Sequence, residues 1–205
     1  MAASLTTPKT LLQAFAPRSS AAALGTGLAT VVLGTLFIAL CSKINVPTWP
    51  VPVTLQTFAV ALIAAAFGFR IGLATIALYI AEGLAGLPVF AGALAGPAYL
   101  FGPTGGFIVG FLLLAAIVGL AADMGLSRRI VPLFAVMLVA DAVVFGFGYA
   151  WLVTVLSGMK GVEPATVMGA AFEGAIKPFV VWDILKMAFA ALSVAGAWTI
   201  ARRRA

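Results

Sequence analysis

Charged residues divide this chain into six long apolar stretches, and that division constrains the fold more than any other feature. A transmembrane helix needs about 20 mainly apolar residues in succession. The stretches run over Ala21–Cys41, Thr54–Phe69, Ile71–Leu87, Phe107–Ala122, Ile130–Leu156 and Phe179–Ile200. Their apolar character is continuous, whereas the strands of a membrane barrel alternate. The pattern predicts an all-α integral membrane protein built as a bundle of six transmembrane helices.

Composition supports this class, because only 9% of the residues are charged and 63% are hydrophobic. A soluble domain averages roughly 25% charged residues. The first eighteen residues lack a small-residue cleavage site after a short apolar core, so they are interpreted as a tail or an amphipathic lead-in. We therefore expect a cytoplasmic N-terminal tail over residues 1–20 and one six-helix transmembrane substrate-binding domain over residues 21–205.

Basic residues set the expected orientation in the cytoplasmic (inner) membrane. With both termini in the cytoplasm, eight of them fall on the inner side and three on the outer side. Cytoplasmic loops of membrane proteins carry an excess of Lys and Arg. The inner set is Lys9, Arg18, Arg70, Arg128, Arg129, Arg202, Arg203 and Arg204, and the outer set is Lys43, Lys160 and Lys177. The multi-pass topology with both termini cytoplasmic explains the net charge of +6 without any nucleic-acid partner.

Several classes of function are disfavoured by residues that the chain lacks. It has no histidine, which removes His-based triads and the usual zinc sites. Its single cysteine, Cys41, excludes an intrachain disulfide framework. No Gly-x-x-x-x-Gly-Lys-Ser/Thr loop is present, so the chain does not hydrolyse ATP in the P-loop manner. We expect no enzymatic activity, no catalytic residues, no cofactor and no metal, and an energy source on another chain if a solute moves uphill.

Asp183 and Lys186 lie in the middle of the last apolar stretch, three residues apart. On a helix this spacing places carboxylate and ammonium on one face. Ionisable groups at membrane depth are costly and mark function by default. The pair predicts a small polar pocket inside the bundle, and the alternative is a neutralised pair that joins two helices. Glu82 and Asp141 also lie within spans, where pairing with a backbone or hydroxyl group is the favoured interpretation.

Polar residues also begin the second apolar stretch, directly after a Pro-rich turn. Thr54, Gln56 and Thr57 follow prolines that prevent an earlier helix start. At the outer mouth of a helix they offer donors and acceptors to a neutral polar ligand. The alternative is ordinary capping and hydrogen bonding between helices.

A Gly/Pro-rich connection, Gly92 to Gly106, joins the third and fourth stretches and carries no charge. Irregular backbone at membrane depth is tolerated only where protein buries it or where it lines a cavity. Phe90, Gly92 and Tyr99 therefore predict an apolar wall with free backbone N–H groups, suited to a ring-shaped ligand that contains an amide. The alternative is a re-entrant turn that binds no ligand.

Small residues recur every four positions on the first apolar stretch, at Ala21, Gly25 and Ala29. Such small-xxx-small faces let helices approach closely. The stripe predicts a surface for docking a second protein, and packing within this chain is the alternative.

Four blocks in this order and spacing resemble the BioY family, which comprises the biotin-binding S components of energy-coupling factor (ECF) transporters. They are Pro50-Val-Pro-Val-Thr-Leu-Gln-Thr, Gly86-Leu-Pro-Val-Phe, Gly102-Pro-Thr-Gly-Gly-Phe and Asp183-Ile-Leu-Lys. The resemblance covers residues 34–190. It implies a six-helix membrane protein that captures biotin from outside and works with a transmembrane T component and ABC-type ATPase subunits.

The resemblance also implies roles for particular residues. The family's Asp-x-x-Lys lies at the biotin site, which corresponds to Asp183 and Lys186, and its first outer loop is a lid, which corresponds to residues 43–52. The chain departs from the family after Phe90, where Ala-Gly-Gly is more usual and Ala93 and Leu94 here follow Gly92, and at Trp182, where glycine is frequent. The alternative function is a stand-alone secondary transporter or channel with Asp183 as an ion site, and a membrane-embedded enzyme is a weaker third.

Overall fold

The computed structural model describes residues 10–15, 20–92, 95–158 and 164–204. Lys9, Arg18, Lys160, Ala93 and Leu94, on which some expectations depend, lie outside these ranges. The described residues form the helices α1 Leu11–Phe15, α2 Ser20–Lys43, α3 Gln56–Phe67, α4 Phe69–Leu84, α5 Pro97–Leu100, α6 Gly105–Asp123, α7 Ile130–Ser157, α8 Pro164–Ala175 and α9 Val180–Arg204. The strands β1 Asn45–Val46 and β2 Val53–Thr54 and the 3₁₀ turn Leu126–Arg128 complete them.

The structure confirms the all-helical membrane class, but within the described residues it supports only four of the six predicted spans. Segments long and apolar enough to cross a membrane are Ala21–Lys43, Gly105–Asp123, Ile130–Ser157 and Thr166–Ala201. Helices α3 and α4 hold 12 and 16 residues, fewer than the 20 or so that a full span needs. Four spans are therefore established by length and composition among the described residues, and six are not.

A single glycine separates α3 from α4, two residues before the boundary expected at Arg70. Gly68 has a φ of 85°, which a residue with a side chain rarely adopts. The backbone N–H of Phe69 donates to Oδ2 of Asp123 over 3.2 Å, so a carboxylate at the end of α6 receives the first N–H of α4. The two short helices thus meet at a sharp, capped turn.

Helix α6 is the centre of the bundle and packs against α3, α4 and α7. Its inward residues Leu114, Ala115 and Val118 are fully buried. A Cβ atom at Gly119 would lie 2.6 Å from the Cα atom of Phe69, so this glycine permits close approach of α4. Large apolar side chains along α2 are exposed instead, among them Leu24, Leu28, Leu33 and Leu40. Such an apolar outer surface suits lipid contact.

The connection between α2 and α3 is an antiparallel hairpin, in which Asn45 pairs with Thr54 and Val46 with Val53. The Pro-rich turn expected there is the tip of this hairpin. Between the last two apolar stretches the sequence predicts only a mixed loop over residues 157–177, and this is wrong, because α8 occupies most of that segment. Val167, Ala171 and Ala175 recur every four residues and are buried, which gives α8 an apolar face against the bundle.

Candidate functional site

Asp183 and Lys186 are in direct contact on the first two turns of α9. The Lys186 Nζ atom lies 3.1 Å from Asp183 Oδ2 and 3.2 Å from Oδ1, and their side chains are only 9% and 1% exposed. The spacing of three residues brings both groups to the face of α9 that packs against α3 and α7. The pair is therefore enclosed by the bundle.

Thr57 on the first turn of α3 completes this arrangement. Its hydroxyl donates to Asp183 Oδ1 over 2.5 Å, and Lys186 Nζ lies 3.4 Å from the same hydroxyl oxygen. The sequence placed Thr57 among the polar groups at the helix mouth but did not indicate its contact with Asp183 and Lys186. We name Thr57, Asp183 and Lys186 the ion-pair cluster.

Two cavities border the ion-pair cluster. The larger, of about 390 Å³, lies beneath the hairpin and includes Trp182 and Lys186 in its lining. The smaller, of about 40 Å³, is lined by Thr57 and Lys186 together with Phe107, Phe111, Phe145 and Phe179. Thr54 lines both cavities. The walls are mostly apolar and include the Lys186 ammonium and threonine hydroxyl groups. The Asp183 carboxylate lies directly against Lys186 and Thr57, so the site suits a small molecule with an apolar body and polar ends.

A second carboxyl lies close to the ion-pair cluster. Asp141 on α7 is 5% exposed, and its Oδ1 atom has no hydrogen-bond partner among the described residues. It is near enough to Asp183 and Lys186 for their charges to act on it. Asp141 thus departs from the expected backbone or hydroxyl pairing. Glu82 shows the expected pairing with a hydroxyl group, since the Thr35 hydroxyl donates to Glu82 Oε1 over 3.0 Å.

Most of the other expected site residues form a separate group. The Gln56 amide donates to the Tyr79 hydroxyl over 2.7 Å, and that hydroxyl donates to the Val89 carbonyl over 2.9 Å. Phe90 stacks on Tyr99 with ring centroids 4.7 Å apart and meets Tyr79 edge-on at 5.4 Å. We name Gln56, Tyr79, Phe90 and Tyr99 the aromatic cluster. All four side chains are buried, and none borders the two cavities beside Lys186.

Thr54 connects the two clusters, because its hydroxyl donates to Gln56 Oε1 over 3.0 Å while its side chain lines both cavities.

Gly92 contributes through its carbonyl, which accepts from Lys43 Nζ over 2.9 Å; the Phe90 carbonyl accepts from the same ammonium over 2.6 Å. The sequence did not indicate that Tyr79 and Lys43 would contact the connection after α4. Their contacts show that the end of α2 and the middle of α4 hold the connection after α4 in place.

The small residues near the start of α2 face away from the rest of the described chain. Ala21, Gly25 and Ala29 are exposed, and a Cβ at Gly25 would meet nothing within 4 Å. Gly34 on the same helix would meet Thr75 at 2.7 Å and is the position where α2 packs closely on α4. Packing within the described chain therefore does not account for the stripe Ala21, Gly25 and Ala29.

Within the described residues, no group of three or more His, Cys, Asp or Glu side chains is placed to hold a metal ion. The ion-pair cluster can exchange hydrogen bonds, because the Lys186 ammonium and threonine hydroxyl groups line apolar cavities and contact the Asp183 carboxylate.

Comparison with known proteins identifies relatives over nearly the whole chain. A sequence model of the BioY family matches residues 13–203. The probable biotin transporter BioY of Pyrococcus horikoshii is 36% identical over 165 residues, which cover 79% of this chain and 91% of the relative. The biotin transporter BioY of Thermotoga maritima is 37% identical over 159 residues, covering 77% and 87%. Biotin transporter BioY2 of Lactococcus lactis is 37% identical over 125 residues, covering 61% and 68%.

A solved structure shares the fold. The crystal structure of the S-component for biotin from an ECF-type ABC transporter superposes with a TM-score of 0.72 over 89% of this chain and 95% of its own. Sequence identity in that comparison is 20%, so the likeness is one of architecture.

Proposed function

The chain belongs to the BioY family, and on that premise we propose that it binds biotin as the substrate-specific subunit of an ECF-type transporter. Relatives that align over most of their length are named biotin transporters. The crystal structure that shares its architecture is described as an S-component for biotin. These names describe transporters rather than enzymes, in agreement with a chain that binds and moves a solute.

The observation that carries the proposal is Lys186, paired with the buried Asp183, in the lining of a cavity of about 390 Å³. Biotin has a urea head, a thioether ring and a carboxylate tail. A urea N–H group needs an acceptor such as Asp183, and a carboxylate needs a cation such as Lys186. The ring and the aliphatic chain match the apolar walls. Thr54 and Thr57 add hydroxyl groups at the same end.

The aromatic cluster supports this site from one side. We propose that Gln56, Phe90, Gly92 and Tyr99 shape the wall behind Thr54 through their mutual contacts. A direct contact with biotin would require a rearrangement of Phe90 and Tyr99, because both are buried against each other. Their contribution therefore passes through Thr54 and the connection after α4.

The proposed topology is a six-span bundle over residues 21–205, preceded by a cytoplasmic tail over residues 1–20. Helices α3 and α4 supply the two spans that are short, one from each side of Gly68. Both termini lie in the cytoplasm and the protein resides in the cytoplasmic membrane, as the excess of basic residues on one side indicates. In this orientation the hairpin faces outward.

The proposed partners are a transmembrane T component and ABC-type ATPase subunits. The chain has no P-loop, so the energy for uptake comes from another subunit. The exposed face Ala21, Gly25 and Ala29 is the proposed docking surface for the T component, because small residues let a partner helix approach closely.

Purified protein tests the proposal directly. Mass spectrometry should detect co-purified biotin, and calorimetry on ligand-free protein should show saturable binding of biotin. In proteoliposomes, ATP should produce no uptake until T and ATPase subunits are added. Absence of biotin binding would refute the function, and uptake driven by an ion gradient through the lone chain would favour the stand-alone transporter.

Biotinamide provides a sharper comparison, since it keeps the urea and loses the carboxylate. If Lys186 contacts the carboxylate, Lys186→Met should weaken biotin binding and leave biotinamide binding nearly unchanged. If Lys186 instead serves the urea end through Asp183, the substitution should weaken both ligands equally. The pair of measurements assigns the ends of the ligand.

A further inference from the structure

The hairpin supplies most of the lining of the larger cavity, and backbone hydrogen bonds hold its base in place. Hairpin residues Ile44, Asn45, Val46, Thr48, Val53 and Thr54 make up most of the lining that faces Lys186. At the base, the backbone N–H of Leu55 lies 3.3 Å from the Cys41 carbonyl and 3.2 Å from the Ile44 carbonyl. The position of the cover therefore depends on what holds its far end.

The tip of the hairpin rests on α8, at a glycine. A Cβ atom placed on Gly174 would lie 2.6 Å from Pro50 Cδ and 3.2 Å from the Trp49 carbonyl oxygen. A proline ring and a backbone carbonyl cannot swing aside as the end of a flexible side chain can. Any side chain at position 174 must therefore displace the hairpin tip or α8.

We infer that Gly174 is a positioning residue of the ligand site, whose missing side chain lets the hairpin tip close against α8 over the cavity. Closed covers slow the release of ligands, and changes in such contacts act mainly on dissociation rates. The inference rests on the proposed binding of biotin. It adds α8 as the fixed surface on which the cover closes.

The conformation of Gly174 does not itself require glycine. Among the glycines of the described residues, those with positive φ are Gly68, Gly86, Gly92, Gly96 and Gly125. Gly174 is the next-to-last residue of α8, and replacing glycine by alanine strengthens a helix by up to about 1 kcal/mol in its interior and by less at its end. A loss of binding in Gly174→Ala would therefore not come from a weakened helix.

The same helix offers a matched control. Gly169 also lies inside α8, and a Cβ there would meet nothing within 4 Å. We expect Gly174→Ala to raise the dissociation rate of biotin about fivefold, and Gly174→Leu more, with association changed less than about twofold. Gly169→Ala and Gly169→Leu should keep the wild-type rates. Equal behaviour of the two positions in stopped-flow binding would overturn the inference.

A compensating change tests the contact itself. Pro50→Ala removes the Cγ and Cδ atoms that a side chain at position 174 would strike. The Trp49 carbonyl oxygen remains at 3.2 Å from a Cβ atom at position 174, so Gly174→Ala should raise the dissociation rate less in the Pro50→Ala background than in the wild type. If the two changes instead multiply in full, Gly174 acts somewhere other than against the hairpin tip, and the inference fails.

A measurement without ligand separates this inference from the proposed function. Spin labels on Trp49→Cys and Met168→Cys, in a Cys41→Ser background, report the distance from the tip to α8; both native side chains are exposed. Gly174→Ala should lengthen this distance, and Gly169→Ala should not. An unchanged distance would refute the contact of the hairpin tip with α8 at Gly174, even if the protein binds biotin. A longer distance would support that contact, even if the protein does not bind biotin.

Discussion

The ion-pair cluster and the aromatic cluster both place polar groups inside the bundle. They differ in whether a cavity borders those groups. Lys186 borders two cavities and Thr57 the smaller of them, whereas Tyr79 and Phe90 are fully enclosed by protein. In the first cluster a ligand can take the place of a protein partner. In the second, Tyr79 already donates to a carbonyl and accepts from an amide.

This difference separates two uses of polar groups in a membrane bundle. Buried hydrogen-bonded networks that are fully satisfied make a structure rigid. A charged pair beside an open cavity can exchange hydrogen bonds with a ligand. We therefore expect substitutions in the ion-pair cluster to lower biotin affinity, and substitutions in the aromatic cluster to lower stability.

The largest loss of affinity is expected from Asp183→Asn and Lys186→Met. Each should weaken biotin binding at least tenfold, about 1.4 kcal/mol, because a buried charge that loses its partner is left uncompensated. Lys177→Met is the control, since Lys177 pairs with Glu173 in an exposed ion pair over 2.7 Å. Calorimetry that finds unchanged affinity in both variants would reduce the pair to a link between helices.

Thr57→Val should have a smaller effect, about three- to tenfold on affinity, because a typical intramolecular hydrogen bond contributes a net of about 0.5–1.5 kcal/mol. The hydroxyl removed is the one that donates to Asp183. Thr26→Val is the control, since the Thr26 hydroxyl donates to the Ala22 carbonyl within α2. A Thr57→Val protein that binds as tightly as wild type would exclude Thr57 from the site.

Tyr79→Phe should change affinity less than about threefold while lowering the free energy of unfolding by about 1–3 kcal/mol, the cost of unpaired buried groups. The Val89 carbonyl would lose this donor and the Gln56 amide its acceptor. Tyr149→Phe removes an exposed hydroxyl that donates to the Met168 carbonyl over 3.1 Å, and should cost less. Affinity that falls tenfold at unchanged melting temperature would remove the distinction between the clusters.

The smallest effect on affinity is expected from Gly25→Trp, which lies in neither cluster. Biotin binding should be unchanged, because a side chain at this exposed position meets nothing in the chain. Uptake by the complete transporter and co-purification with the T component should fall, since one large side chain prevents close helix approach. Lost affinity alongside retained co-purification would reject the docking role.

Helices and the contact between Asp183 and Lys186 follow from local rules, so the sequence predicts them well. The residue spacing alone places that pair on one helix face. Helix α8 escaped prediction because its buried positions Val167 and Ala171 lie in a mixed segment that is too short for a span. The turn at Gly68 was placed near Arg70 instead, because charge marks a boundary less directly than backbone conformation does.

Phe90 and Tyr99 show the limit of the same reasoning. Their sequence neighbourhood indicates an aromatic wall, and the structure contains one, but its faces are turned toward each other. Asp141 shows the converse, since nothing in its local sequence indicates proximity to Lys186. Whether a side chain faces empty space depends on how far apart whole helices pack, and no local pattern carries that distance.

The sequence by itself determined that the chain is helical, that it belongs in a membrane, and that one carboxylate and one ammonium share a helix face. These properties depend on residue type and on spacing along a single element. Only the tertiary structure decided where the cavities lie, since the lining of the larger one combines the hairpin with Trp182 and Lys186 of α9. A cavity is the space left between elements far apart in sequence, and its position follows from their packing.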